Sequence, residues 1–489
     1  MVTTAEVIII GAGAAGLMAG VTAGEAGLPC LLVERRHRPG LKLLLCGNNR
    51  CNISHAGDAR DMIAAYGEPV GTFLKTALTA FPPARLRRWF EAAGVPTCLN
   101  RDRIYPTSEK ADDVLHCFTD RLRELSVPLL LNCPVSAVTR LPGGVYQVSC
   151  GAVVFTAPRV LLATGGVSYP KTGSVGDGQR FAGELGHTVL PLQAGLAGMD
   201  SAAGWLPRPA ASASLPTTRL TITQRGAAVG TTEGNVLAEG NVLRGTAIFD
   251  ASRMIARRGW TDFELELDVL PDMSLAAVAA RLQQTAGRAR GLSRLLTAQG
   301  LDLAVADSLA AWLEQRGGDA SAWARLLKAL PLPITGIRPV KEAIVTVGGV
   351  DLSEINPDTM ESRRSPGLYF AGEVMDIDGP TGGYNLHAAF ATARLAIQAM
   401  IGTVARVEQS AATAANRPPT KAGRRGRGKA RDATPTSGRN APGRSVPEEG
   451  RPTEVSSSER RRSLPRWKTP PPTGGDESWR QRQRGSKGK

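Results

Sequence analysis

The sequence predicts an α/β fold: a parallel-sheet domain drawn from both ends of the chain, interrupted by an inserted β-rich segment and a small helical one. Three observations predict it. Residues 7–34 run strand, glycine turn, helix, strand, the unit that builds parallel sheets. Two later apolar runs, 159–163 and 368–371, end in glycine turns of the same kind. Between them the pattern changes, first to short alternating runs and then to helical spacing.

Each element follows from its residues. Val7, Ile8, Ile9 and Ile10 form a short continuous apolar run, the mark of a strand covered on both faces. Small residues continue from the glycine turn through Ala26 as a helix, and residues 30–33 make a second strand ending at Glu34. Within 190–270, the runs 220–223, 246–249 and 263–267 are β-rich and predict an antiparallel β domain. Residues 274–329 space Ala, Leu and Arg with little β-branching, which predicts helices. After about residue 337 the chain returns to the sheet. The expected order is a first part of the sheet domain at 1–190, an inserted β domain at 191–272, a small helical domain at 273–333, and the second part at 334–405. In 411–489 Pro, Gly, Ser, Thr and Arg dominate, a composition that cannot offset its ordering entropy and predicts disorder.

Composition bounds the class. A chain of 489 residues builds its core without disulfide or metal staples. Cysteines stand at 30, 46, 51, 98, 117, 133 and 150, an odd set with none further on, so reduced thiols are expected. No run reaches the ~18 apolar residues of a membrane span. No Lys or Arg precedes the apolar stretch 7–23, which argues against a signal peptide and for a cytoplasmic protein. The net charge is +15, of which 411–489 carries +13, so the basic pI describes the tail.

Gly11-Ala12-Gly13-Ala14-Ala15-Gly16 is a GxGxxG directly after a strand. Gly11 allows the tight turn, Gly13 lets backbone approach a diphosphate at the positive helix end, and Gly16 permits close helix–strand packing. Glu34 closes the second strand, where its carboxylate can take both ribose hydroxyls; this is the Rossmann dinucleotide pattern and disfavours a 2′-phosphate. Arg35 and Val135 are assigned to the same cofactor site. Further loops extend it. Residues 39–52 contribute Lys42, Arg50 and Asn52; Thr164, Gly165 and Gly166 follow the strand at 159–163; Gly372 and Glu373 follow the strand at 368–371, with Glu373 placed for a ribityl hydroxyl. Gly382, Gly383, Tyr384 and Asn385 open a final helix whose N-terminus can stabilise negative charge on a reduced flavin. Several separated glycine turns suit extended FAD better than NAD.

These stretches resemble the BaiN/RdsA family of NAD(P)/FAD-dependent oxidoreductases, also known as aminoacetone-oxidase-like flavoproteins. The resemblance is carried by 7–34, by 42–52 ending Arg50-Cys51-Asn52, by 163–178 (ATGGVSYPKTGSVGDG) and by 334–390. It implies a two-dinucleotide-binding-domain flavoprotein fold with an inserted β-barrel-like domain and a helical domain. It also implies FAD and reduction of activated alkenes: bile-acid dienones, or a uridine of ribosomal RNA to dihydrouridine. The chain departs from the family pattern at Gly47-Asn48-Asn49, at Cys46, and through 234–247, so the resemblance leaves the substrate open.

Three readings of Cys51 stand side by side: a general acid protonating the carbon opposite hydride delivery, a buried packing thiol, or half of a redox disulfide with Cys46. No second GxGxxG lies in 180–330, which argues against the redox pair. Lys171 and His387 are candidate substrate contacts, His387 with a structural reading as its rival. Asp376 and Asp378 flank Ile377, and only one faces the cofactor if that segment is extended. No metal spacing occurs among His55, His116 and His187. The expected activity is an NAD(P)H-driven FAD oxidoreductase acting on an activated C=C bond, with NAD(P)H as a transient donor. The rivals are a small-molecule flavin oxidase or reductase, and a non-catalytic RNA-binding flavoprotein. Arginine clusters at 424–427, 460–462 and 480–484 point to RNA or a ribosome precursor as partner of the tail.

Overall fold

In the computed structural model, residues 2–207, 212–284 and 289–415 are described, and most of the basic tail lies outside them. Four of the expected strands meet in one parallel sheet. β1 (Val7–Ile10) leads through α1 (Ala14–Glu25) to β2 (Cys30–Val33). β3 (Leu129–Leu130) extends the sheet beyond β2, and β4 (Arg159–Leu162) pairs on the other side of β1. The register sets Val7 beside both Cys30 and Arg159. All four residues of β1 are buried, because α1 covers one face and the sheet around Val153–Ala157 lies against the other.

The insertion is built on a long hairpin of β5 (Ser212–Gln224) and β6 (Ala227–Glu239), followed by β7 (Val242–Arg244) and α2 (Thr246–Arg258). These strands belong to a seven-stranded sheet that ends in Ile334–Ile337. Its core, with Trp205, Ile222, Val236, Ile248, Leu309 and Trp323, is shared with the helices between Leu275 and Lys328. The chain then closes the first sheet with β8 (Leu368–Phe370), which pairs with β4, and ends its described part in α3 (Tyr384–Ala415).

Two expectations are corrected. The run 246–249, expected as β, opens α2, because Ala247, Ile248, Ala251, Ser252 and Ile255 share one buried face at helical spacing. Not all thiols are free: Cys133 and Cys150 form a disulfide with Cα atoms 5.8 Å apart. The antiparallel pairing of Ala137 with Ser149 brings these flanking residues together, which linear spacing does not reveal. Cys30, Cys46, Cys51, Cys98 and Cys117 are free. Among the described residues, no helix is long and apolar enough to cross a membrane.

Candidate functional site

One cavity of about 740 Å³ collects the loops after β1, β4 and β8, the loop 40–52, and one face of the insertion. That volume suits a large ligand. The glycines of the first turn divide the work. A Cβ on Gly11 would lie 2.6 Å from Ala163 O, and one on Gly16 would lie 1.8 Å from Gly11 O. A Cβ on Gly13 would meet nothing within 4 Å, so there the backbone is bare toward the cavity. α1 starts with no side-chain cap and no acid in its first turn, leaving its N–H groups for an anion.

Glu34 lines the cavity and is buried to 9 % exposure. Its Oε2 accepts from Ala12 N and its Oε1 from Arg36 N, both at 2.8 Å. Burial pushes its carboxyl up, opposed by those amides and by Arg35. Arg35 pairs with Asp177 at 2.6 Å, and Val135 lines the same end.

A polar hub joins four loops. Lys42 Nζ donates to Glu373 Oε2 and to Ser168 Oγ, each at 2.6 Å, while Glu373 Oε1 accepts from Thr346 N at 2.7 Å. Gly166 makes room for the hub: a Cβ there would lie 2.2 Å from Thr346 Oγ1. At the far end, Gly382 and Gly383 reach the start of α3 with φ of 119° and 97°. Gly383 packs so closely on Ser54 that its Cβ would lie 2.4 Å from that carbonyl carbon. Asn52, with its amide nitrogen toward Ser54 O at 2.8 Å, accepts from Gly383 N at 3.0 Å. Asn385 fixes the turn through Gly379 N and Gly379 O, at 2.8 and 2.9 Å.

The residues fit FAD. The bare backbone at Gly13, two helix N-termini opening into one cavity, and the buried Thr164 Oγ1 with no hydrogen-bond partner among the described residues are features an extended diphosphate cofactor would occupy.

Of the residues expected at the cofactor, Gly11, Gly13, Ala14, Ala15, Glu34, Arg35, Lys42, Arg50, Asn52, Val135, Thr164, Gly165, Gly372, Glu373, Gly382, Gly383 and Asn385 line this cavity. Gly16, Gly166 and Tyr384 stand behind it. The Tyr384 ring stacks on His55 with centroids 4.8 Å apart, and its carbonyl accepts from Tyr66. Cys51 is fully buried and does not line the cavity; Cys46 does. The two thiols are hydrogen-bonded: the bond and burial together raise Cys51, while the same bond lowers Cys46 against the opposing effect of burial. Lys171 is outside the cavity lining, where its neighbours Tyr169 and Thr172 stand. His387 is sealed away from it. Its ring nitrogens meet Ser54 Oγ at 2.7 Å and Phe81 O at 2.8 Å, and burial pushes it down to about 4, so it is neutral and structural. Asp376 and Asp378 are both held by arginines of α2.

Sequence reasoning missed the insertion's wall: Asn235, Glu239, Arg244, Thr246 and Phe249 all line the cavity. Asn235 Oδ1 accepts from Thr246 N at 3.1 Å and Thr246 Oγ1 at 3.0 Å, tying β6 to the start of α2. This is the stretch that departs from the family pattern, and that departure was the available signal.

Residues 5–399 match the HI0933-like protein Rossmann domain. A 3-dehydro-bile acid delta(4,6)-reductase of Clostridium scindens is 28% identical over 402 residues, 79% of this chain and 97% of the relative. A ribosomal RNA dihydrouridine synthase of Escherichia coli is 27% identical over 409 residues, 81% of this chain and 98% of the relative. The structure of a flavocytochrome c3 fumarate reductase in its open conformation aligns with TM-score 0.47 and 16% identity, covering 82% of this chain and 78% of that one. A family match over that span places the chain: it belongs to the HI0933-like Rossmann-domain family of FAD-dependent oxidoreductases.

Proposed function

We propose that this protein is an NAD(P)H-driven, FAD-dependent reductase of a C=C bond conjugated to a carbonyl, acting in the cytoplasm on a uridine of ribosomal RNA. The observation that carries the reading is the shared cavity: one part of its lining fits the cofactor, and another part belongs to the insertion. An acceptor held by the insertion would therefore lie against the cofactor. The names of two full-length relatives, a delta(4,6)-reductase and a dihydrouridine synthase, both describe saturation of such an alkene.

Bound FAD supplies hydride chemistry; the protein supplies position and charge. Glu34 would hold the ribose, the Gly13 turn and the start of α1 would hold the diphosphate, and Lys42 and Glu373, backed by Ser168, would hold the linker. The start of α3 offers positive potential to developing anionic charge. Arg50, Arg103 and Arg244 line the cavity and favour an anionic acceptor, and the +13 tail favours a polyanion. The domain boundaries expected from sequence are part of the proposal, with the stretch 234–247 as the element that selects the substrate.

The test is mass spectrometry of ribosomal RNA from a strain lacking the gene. Loss of one dihydrouridine, restored by the intact gene, supports the reading. An unchanged map refutes the RNA substrate and moves the proposal to a small conjugated enone, such as a steroid dienone.

A further inference from the structure

Most side chains on the cavity wall that could give up a proton are engaged or enclosed: the Cys46 thiol bonds Asn52 O and Cys51, and Tyr105 is 3 % exposed with the Arg50 guanidinium over its ring. Lys42 is bound to Glu373 and Ser168, and Tyr66 donates its hydroxyl to Tyr384 O at 2.7 Å. Cys51, Lys171 and His387 do not line the wall.

Tyr169 differs. It lines the cavity, is half-buried, and its hydroxyl makes no hydrogen bond among the described residues. Its backbone is left-handed, φ 52° and ψ 59°. That conformation costs a bulky residue about 1–3 kcal/mol, and Gly or Asn would adopt it more cheaply. Thr172 holds it in place, its N–H and its hydroxyl both donating to Tyr169 O at 2.8 Å. The turn sets the Tyr169 side chain on the cavity wall. Arg244, at the end of β7 on the insertion, lines the same cavity and pairs with Glu239. Burial raises the Tyr169 phenol, the Arg244 charge opposes that rise, and Cys46 adds to it. Burial therefore keeps the phenol protonated at neutral pH, while the charge of Arg244 favours its conjugate base.

We propose that Tyr169 is the proton donor of the reduction and that Arg244 stabilises the tyrosinate it leaves. The inference rests on the alkene reading above. NAD(P)H supplies the electron pair and one hydrogen, which adds to one alkene carbon. The adjacent carbon, carrying the pair as an enolate, takes the proton as the Tyr169 O–H bond breaks. Water at the cavity mouth then reprotonates the tyrosinate. The sum is one C=C bond, one NAD(P)H and one proton giving a saturated CH–CH unit and NAD(P)⁺.

Two measurements on the FAD-loaded enzyme test it. The first needs no substrate. Tyrosinate absorbance is followed from neutral pH upward, and the difference between wild type and Tyr169→Phe isolates this phenol. Arg244→Gln should move that transition up by about one pH unit; an unmoved transition overturns the pairing. The second is anaerobic stopped flow, with NAD(P)H-reduced enzyme mixed with 2-cyclohexenone or with ribosomal RNA from the deletion strain. Tyr169→Phe should keep the flavin spectrum and its reduction by NAD(P)H, while oxidation by the alkene slows roughly 100-fold. Equal rates for wild type and Tyr169→Phe overturn the acid role. If wild type reduces neither alkene, the alkene reading fails and the acid role with it. A titration shift in Arg244→Gln would then still mark the pair as coupled.

Discussion

Gly11 and Gly13 are two residues apart, and the structure gives them opposite duties. Gly11 needs its φ of 101° and has no room for a Cβ, so Gly11→Ala should lower the melting temperature of the cofactor-free protein. Gly13→Ala meets open space, so its apo protein should melt like wild type while binding FAD at least roughly tenfold more weakly. Flavin fluorescence on titration checks this, and unchanged affinity would remove the diphosphate from that turn. His387 makes a pH prediction. Its folded value of about 4 lies below the ordinary 6.5, so in between the unfolded chain binds the proton that the fold refuses. Stability is complete above pH 6.5 and falls as pH drops toward 4, by at most about 3 kcal/mol. His387→Gln should flatten that part of a melting-temperature profile. Motif spacing placed His387 at the start of α3, but only packing shows that its ring is turned to Ser54 and Phe81.

At the scale of elements, α2 joins the insertion to the segment that precedes α3. Asp250, Arg253 and Arg257 reach Thr381, Asp378 and Asp376 respectively, spaced so that one helix face carries all three. Arg257→Ala would leave the buried Asp376 without its cation, costing about 3–5 kcal/mol in urea unfolding of the loaded enzyme. A loss under 1 kcal/mol would place little of the fold's stability in this contact. Asp250 accepts from Thr381 N and Oγ1, and burial raises it to about 6 from 3.8. Its ionised form penalises the fold above pH 6, and the penalty is gone below 3.8. The melting-temperature difference between Asp250→Asn and wild type should therefore grow more favourable to the variant as pH rises from 4 to 7. None of this was legible in sequence, where 246–249 reads as β. Thr, Ile and Phe favour strands locally, and it is the apolar face against β6 that makes them helical.

At the scale of the molecule, charge and chemistry occupy different parts of the chain. Residues 411–489 hold +13 of the net +15, while the cavity is built before them. Removing residues 418–489 should weaken RNA binding and flatten its dependence on salt, since fewer counterions are released. Reduction of a small enone by the truncated protein should be unchanged. Filter binding across a salt series reads the first effect, and an unaltered slope would separate the tail from RNA. Cleft-lining arginines such as Arg103 would then be the remaining basis for RNA affinity.

The sequence by itself determined the parallel sheet, the first glycine turn, Glu34 and the glycine turns after the strands at 159–163 and 368–371. These are local signals: a short, β-branched apolar run closed by a glycine turn reads as a buried strand, and a turn with φ near 101° selects glycine. Tertiary structure decided what depends on residues distant in the chain. It separated Gly16 and Gly166, which make room for backbone and hub, from Gly13, which faces the cavity. It joined Cys133 to Cys150, moved the cavity thiol from Cys51 to Cys46, and brought Arg244 into the same cavity as Tyr169. Spacing along a chain reports only neighbours within an element. Which side chains meet across elements is set by how the sheets and helices pack, and that is where the choice of substrate is made.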